Sequence, residues 1–162
     1  MRNRRPRLNA ALYIGFQRYF FTFYTAHRQS HFTDQESVVC VRDQILQTAV
    51  PHDMEGTAYC FMHDHLHLLV EGRSETSDAL AFVHQAKQRS AYAFSRVRGK
   101  KLWQPSYHDR VLRDDEGSLS VARYILENPV RAGMVKNAED YPFLGSARYT
   151  LKEVMEAICW QP

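Results

Sequence analysis

Cysteine is scarce here, and what little there is builds nothing. Cys40, Cys60 and Cys159 are odd in number, widely separated and without a CxxC pair, which argues against a disulfide framework and against a cysteine-based zinc site. Reduced thiols of this kind fit a cytoplasmic protein. The chain also lacks any apolar run of membrane-spanning length, any internal repeat and any low-complexity tract. The N-terminus is basic and then reads LNAALYIGF. That run is short, holds Asn9 and is followed by Gln17 and Arg18 with no small-residue cleavage site, so it does not read as a signal peptide. With only 7 Gly and 6 Pro in 162 residues there is no Pro- or Gly-rich linker. One domain over residues 1–162, with a core from about residue 12 to 149, is expected.

A local absence says more. Between Ala79 and His108 there is no Asp or Glu. The net charge of the whole chain is only +3, a weak sign of a polyanionic partner. The acid-free stretch, however, carries Lys87, Arg89, Arg96, Arg98, Lys100 and Lys101, with Phe82, Tyr92, Phe94, Trp103 and Tyr107 between them. Arg2, Arg4, Arg5 and Arg7 crowd the N-terminus. Cations mixed with aromatics suit single-stranded nucleic acid, because charge meets phosphates and flat rings meet bases. A solvated basic helix face has the same composition.

Residues 18–26, aromatic and Thr-rich, read as a strand. Residues 34–49 place Val38, Val41, Ile45 and Leu46 at helical spacing, with Asp34 as N-cap. Residues 56–62 and 65–71 read as two strands around a tight turn at His63–Asp64. Residues 76–98 read as a helix and 107–113 as a fourth strand. Residues 117–128 read as a helix with Leu119, Ala122, Ile125 and Leu126 as its apolar stripe. This order defines an α+β, ferredoxin-like (split βαβ) antiparallel sheet with helices on one face and the other face free for a site.

In FMHDHLHLLVEG, residues 61–72, strand alternation puts His65 and His67 on one face and Leu66 and Leu68 on the other. Two imidazoles at that spacing reach one divalent ion. Two hydrogen-bonded histidines are the plainer alternative. In SVARYILENPVRAGMV, residues 120–135, Tyr124 and Asn128 lie one helical turn apart, away from the apolar stripe. Asn128 before Pro129 also suits the N-cap of a new short helix. Trp103, Gln104 and His108 in KLWQPSYHDRVLRDD either touch DNA or pack.

Four segments, YFFTFYTAHRQSHFTD, HDHLHLLVEG, LWQPSYHDRVLRDDE and ARYILENPVRAGMV, occur in order between about Leu12 and Tyr149. Together they resemble the REP-associated tyrosine transposases and the related single-tyrosine insertion-sequence transposases. The resemblance implies a His-hydrophobic-His metal pair at His65 and His67, a nucleophilic tyrosine at Tyr124 and a polar metal ligand at Asn128. It implies Mg²⁺ or Mn²⁺ as cofactor, single-stranded or hairpin DNA as substrate, and a monomer or homodimer. Lys87, Arg89, Arg96, Arg98, Lys100, Lys101 and Trp103 are the expected DNA contacts. The chain departs from the family pattern in having His63 where a Pro usually precedes the turn, and Asn128 where insertion-sequence relatives usually have Gln.

A tyrosine hydroxyl, with a pKa of about 10, is a poor nucleophile at neutral pH and needs activation. The expected reaction is therefore metal-assisted nicking and rejoining of DNA through a 5′-phosphotyrosine. Two alternatives are a non-catalytic hairpin binder and a His-metal phosphodiesterase. The second would need further ligands, and His27, His31, His52, His84 and His108 form no second pair.

Overall fold

The computed structural model describes the backbone of residues 9–159 and the side chains of residues 9–157. Arg2, Arg4, Arg5 and Arg7 lie outside the described residues. The elements are β1 (Arg18–Tyr24), α1 (Gln35–Ala49), β2 (Met54–Met62), β3 (His65–Gly72), α2 (Ala79–Arg98), β4 (His108–Val111), α3 (Ser118–Leu126), the single turn α4 (Asn128–Arg131), β5 (Leu144–Gly145) and α5 (Leu151–Cys159). The strands form one antiparallel sheet in the order β4-β1-β3-β2-β5. Its first four places are those of a split βαβ unit, and β5 is an addition at the β2 edge.

The helices start and stop where local chemistry sets them. Asp34 accepts a hydrogen bond from the Ser37 N–H at 2.9 Å and opens α1, and Asp78 does the same for α2 through the Ala81 N–H at 2.9 Å. Gly99, at φ +65, closes α2 with its N–H on the Ser95 carbonyl. β2 and β3 are joined by a two-residue turn, His63–Asp64. The Phe32 N–H donates to the His63 carbonyl and the Thr25 N–H to the Asp64 carbonyl, both at 3.0 Å. These bonds pin the turn.

Strand alternation sorts the sheet into two faces. Phe21, Phe23, Leu66, Leu68 and Val70 pack against Val38, Val41 and Ile45 of α1 and against Phe82, Val83, Ala86 and Phe94 of α2. This is the main core. The opposite face was expected to be open, and only part of it is. Ala58, Cys60 and Leu69 are covered by Val121, Ala122, Ile125 and Leu126 of α3 and by Val154 of α5. A second helical layer therefore exists, because α3 is apolar along a full stripe and buries it on β2 and β3. Leu119 is not in that stripe: it is 47% exposed, and Val121 takes the inward position. Only the outer part of this face, at Tyr24 of β1 and along β4, is left open, with Tyr24 half-buried and His108 and Arg110 exposed.

Candidate active site

His65 and His67 stand on the β3 face that looks toward α3, at the boundary between its covered and open halves. Their ring centroids are 4.8 Å apart. Each ring has one nitrogen already engaged. The His65 Nδ1 lies 2.6 Å from the Asp64 carboxylate, and the His67 Nδ1 lies 3.0 Å from the Thr22 hydroxyl. A carboxylate only accepts, so in the neutral His65 ring Nδ1 carries the proton and Nε2 keeps its lone pair. Thr22 can accept from His67 in the same sense, which would leave its Nε2 free as well. Outer partners of this kind orient histidines that ligate metals.

Burial, the neighbouring His65 and the Arg131 charge together push the His67 pKa down to about 3. The ring is therefore neutral at physiological pH, the form that binds a metal. Burial alone would raise the Asp64 pKa, but the hydrogen bonds and charges of His65 and Arg28 outweigh it and hold Asp64 below its ordinary value. Cys60, cross-strand from His67, is fully buried, and desolvation lifts its thiol to about 12. It stays protonated, so it is no thiolate ligand.

α3 brings Tyr124 to the pair. The stripe formed by Val121, Ala122, Ile125 and Leu126 is buried, and Tyr124, on the adjoining side, is 49% exposed. Its ring meets the His67 ring at 6.4 Å between centroids and the edge of Phe20 at 6.1 Å. Phe20 in turn lies 5.4 Å from His67. The Arg131 guanidinium carbon sits 4.2 Å from the centre of the Tyr124 ring, and its Nη2 donates to the Tyr124 carbonyl. Arg131 was not singled out by the sequence, although the NPVR segment places it seven residues after Tyr124.

Asn128 does not cap a new helix. The cap position of α4 is Glu127, which makes no side-chain cap. The Asn128 amide nitrogen instead donates to the Tyr124 and Ile125 carbonyls, each at 3.2 Å, and so closes the end of α3. Its carbonyl oxygen is the atom left for other work. Among the described residues no group of three or more His, Cys, Asp or Glu side chains forms a metal cluster. The imidazole pair is the part of the site whose donor atoms are brought together.

The acid-free stretch is divided by the fold. Trp103 is 4% exposed, with its indole N–H on the Ser90 hydroxyl at 2.9 Å. It packs against Phe23 and Phe32, so as a DNA-stacking ring it is corrected to a core residue. Lys87 donates to the Gln104 and Ser106 carbonyls at 2.8 and 3.1 Å, and burial lowers its pKa to about 8. Arg98 bridges Asp34 and Glu36 at 2.6 and 2.9 Å. These cations hold the fold together. Arg96, Lys100 and Lys101 are exposed and Arg89 half-buried. The inward side of α2 packs on the sheet face opposite the histidines.

The fold and site define a ferredoxin-like α+β domain in which a strand-borne histidine pair faces a tyrosine on a separate helix. A family model described as transposase, IS200-like, matches residues 16–128, and the chain belongs to that family. Two curated relatives are similar along most of their length. A Haemophilus influenzae protein that carries the provisional name REP-associated tyrosine transposase is 27% identical over 148 residues, 84% of this chain and 83% of its own. The Escherichia coli K12 REP-associated tyrosine transposase is 24% identical over 131 residues, 81% of this chain and 77% of its own. A solved structure of a REP-associated tyrosine transposase bound to a REP hairpin superposes with a TM-score of 0.73 at 23% identity, over 100% of this chain and 92% of that one. This likeness establishes the shared fold.

Proposed function

We propose that the chain is a DNA strand transferase that nicks and rejoins single-stranded or hairpin DNA through a phosphotyrosine on Tyr124. The observation that carries the reading is the contiguous set Tyr124–Phe20–His67–His65, with a half-exposed phenol beside two histidines whose Nδ1 atoms are engaged. The structural relative named for its bound REP hairpin supports hairpin DNA as the substrate class.

His65 and His67, through Nε2, and Asn128, through its carbonyl oxygen, would hold the divalent ion. Two imidazoles and one amide oxygen suit Mn²⁺ better than Mg²⁺, which favours all-oxygen ligands. When bound, such an ion draws charge from a non-bridging phosphate oxygen and stabilises a departing 3′-oxygen. The remaining work falls to the chain. Phe20 and the Arg131 guanidinium fix the Tyr124 ring, so the phenol oxygen is oriented before DNA arrives. That oxygen attacks phosphorus, a tyrosyl O–P bond forms, the P–O3′ bond breaks, the phenolic proton passes to solvent and the 3′-oxygen takes a proton from solvent to leave as a hydroxyl. The phosphotyrosine is close in energy to the diester it replaces, so the reverse attack by another 3′-hydroxyl rejoins strands without ATP.

A denaturing gel of 5′- and 3′-labelled hairpin DNA incubated with protein and Mn²⁺ tests this. The expected result is a covalent adduct with the label on the 3′ side of the nick, absent for Tyr124→Phe and with chelator. Cleavage without an adduct would instead indicate a hydrolase, and tight binding with neither product a binding module.

A further inference from the structure

The turn after β1 is the most conspicuous backbone departure near the site. His27 and Arg28 are consecutive non-glycine residues at φ +54 and +56, a conformation that crowds Cβ against the backbone and persists only where surrounding contacts enforce it. The enforcing contacts are present. The Arg28 N–H donates to the Thr25 carbonyl at 3.1 Å, the Ala26 N–H to Leu102 at 2.7 Å, and the Thr25 hydroxyl to the Gln29 carbonyl at 2.7 Å.

What the turn achieves is the placement of one side chain. The Arg28 guanidinium lies 4.1 Å from the centre of the Tyr24 ring, and Tyr24 is itself 5.6 Å from the His65 ring. The Arg28 Nε donates to Asp64 Oδ2 at 2.7 Å, while the other carboxylate oxygen, Oδ1, takes His65 Nδ1 at 2.6 Å. The two oxygens of Asp64 are thus assigned to different partners, and Arg28 braces both neighbours of His65. A surface ion pair by itself contributes little, so its significance here lies in orientation. A free histidine favours the proton on Nε2, which would block the lone pair a metal needs. The Asp64 contact reverses that preference, and it persists only while the carboxylate is held in place.

We propose that Arg28 is a positioning residue for the His65 half of the metal site, acting through Asp64 and Tyr24 to keep Nε2 of His65 unprotonated and aimed. The proposal rests on the reading of His65 and His67 as metal ligands. Arg28 touches neither the ion nor Tyr124. Because its influence on the site passes through a hydrogen bond, it is visible before any metal or DNA is added.

The test uses the full chain, free of metal, at mildly alkaline pH. Imidazole ¹⁵N spectra report which ring nitrogen is protonated, and Mn²⁺ titration followed by electron paramagnetic resonance reports affinity. For the unaltered protein, His65 is expected as the Nδ1–H form. In Arg28→Ala and in Asp64→Asn the population shifts toward Nε2–H, and Mn²⁺ affinity falls about 10- to 100-fold, the range typical of lost outer partners. Arg28→Lys, which keeps the charge without the planar fork, falls between and serves if the alanine variant fails to fold. His27→Gly retains the turn and leaves both readouts unchanged. Arg28→Ala with the tautomer intact and affinity within about twofold would overturn the proposal. His65→Ala, run in parallel, separates the two readings. If it abolishes Mn²⁺ binding while Arg28→Ala does not weaken it, the role of Arg28 alone falls. If His65→Ala binds as well as the parent, the metal site itself is elsewhere and both fall.

Discussion

Protonating His67 inside the folded chain is costly, and that has a measurable consequence. Its folded pKa, about 3, lies below the ordinary value of 6.5, so in acid the unfolded chain binds the proton more readily. Above pH 6.5 neither state is charged and the effect is absent. As pH falls from 6.5 toward 3 the fold loses stability, by roughly 2 kcal/mol at about pH 5 for a shift of this size. Urea midpoints measured at neutral and at mildly acidic pH should therefore separate the parent from His67→Gln, which should show a shallower acid slope. Equal slopes would mean that His67 is solvated in the fold. His27 gives a second residue-scale expectation. Because its left-handed φ suits glycine, His27→Gly should not lower the thermal midpoint and should raise it by the equivalent of up to about 1 kcal/mol.

At the scale of elements, α3 carries the proposed nucleophile, and its hold on the sheet is apolar. Ile125 is fully buried among Leu69, Cys60 and the rest of that layer. Ile125→Ala should cost about 2–4 kcal/mol in a chemical denaturation curve and should lower adduct formation more than DNA binding, since it loosens the helix that presents Tyr124. β3 has an equivalent weak point. A Cβ on Gly72 would lie 1.9 Å from the Gly15 carbonyl oxygen, so Gly72→Ala forces backbone apart and should destabilise by about 2 kcal/mol or more. The sequence predicted β3 well, because period-2 alternation is a local signal, as the Asp34 cap is for α1; it placed α3 but took Leu119 for an inward residue where Val121 is buried. It also put Tyr124 and the histidines in the right local settings. It could not give β5, which is two residues long, or α5 and the second helical layer. Nor did it give the fate of Asn128, whose amide turns back onto the Tyr124 and Ile125 carbonyls. Spacing tells which residues share a face, but what packs on that face is decided by contacts distant in sequence. Trp103 shows the limit best. In an acid-free aromatic stretch a buried ring and an exposed one read alike, and pairing of Trp103 with Thr25 at the end of β1 decides between them.

For the whole molecule, the sheet separates two kinds of surface. One face carries α1 and α2, and the other carries the histidines, Tyr124 and an open strip at Tyr24 and along β4. Arg89 and Arg96 lie on the α2 side, so any DNA they bind must pass round the sheet to reach Tyr124. Arg89→Ala with Arg96→Ala should weaken hairpin binding and flatten its salt dependence by about one phosphate contact per residue, with the yield of adduct per bound DNA unchanged. A fall in that yield instead would place these cations at the reacting phosphate. No helix of the described residues is long and apolar enough to cross a membrane. The central claim remains that Tyr124, beside His67 and His65, is the atom source for DNA joining. Mass spectrometry of the protein–DNA adduct, digested to peptides, addresses it most directly. A 5′-phosphonucleotide on the Tyr124 peptide, lost in Tyr124→Phe and without divalent metal, is the predicted result, and an adduct mapped to any other residue, or nicked DNA with no adduct at all, would contradict it.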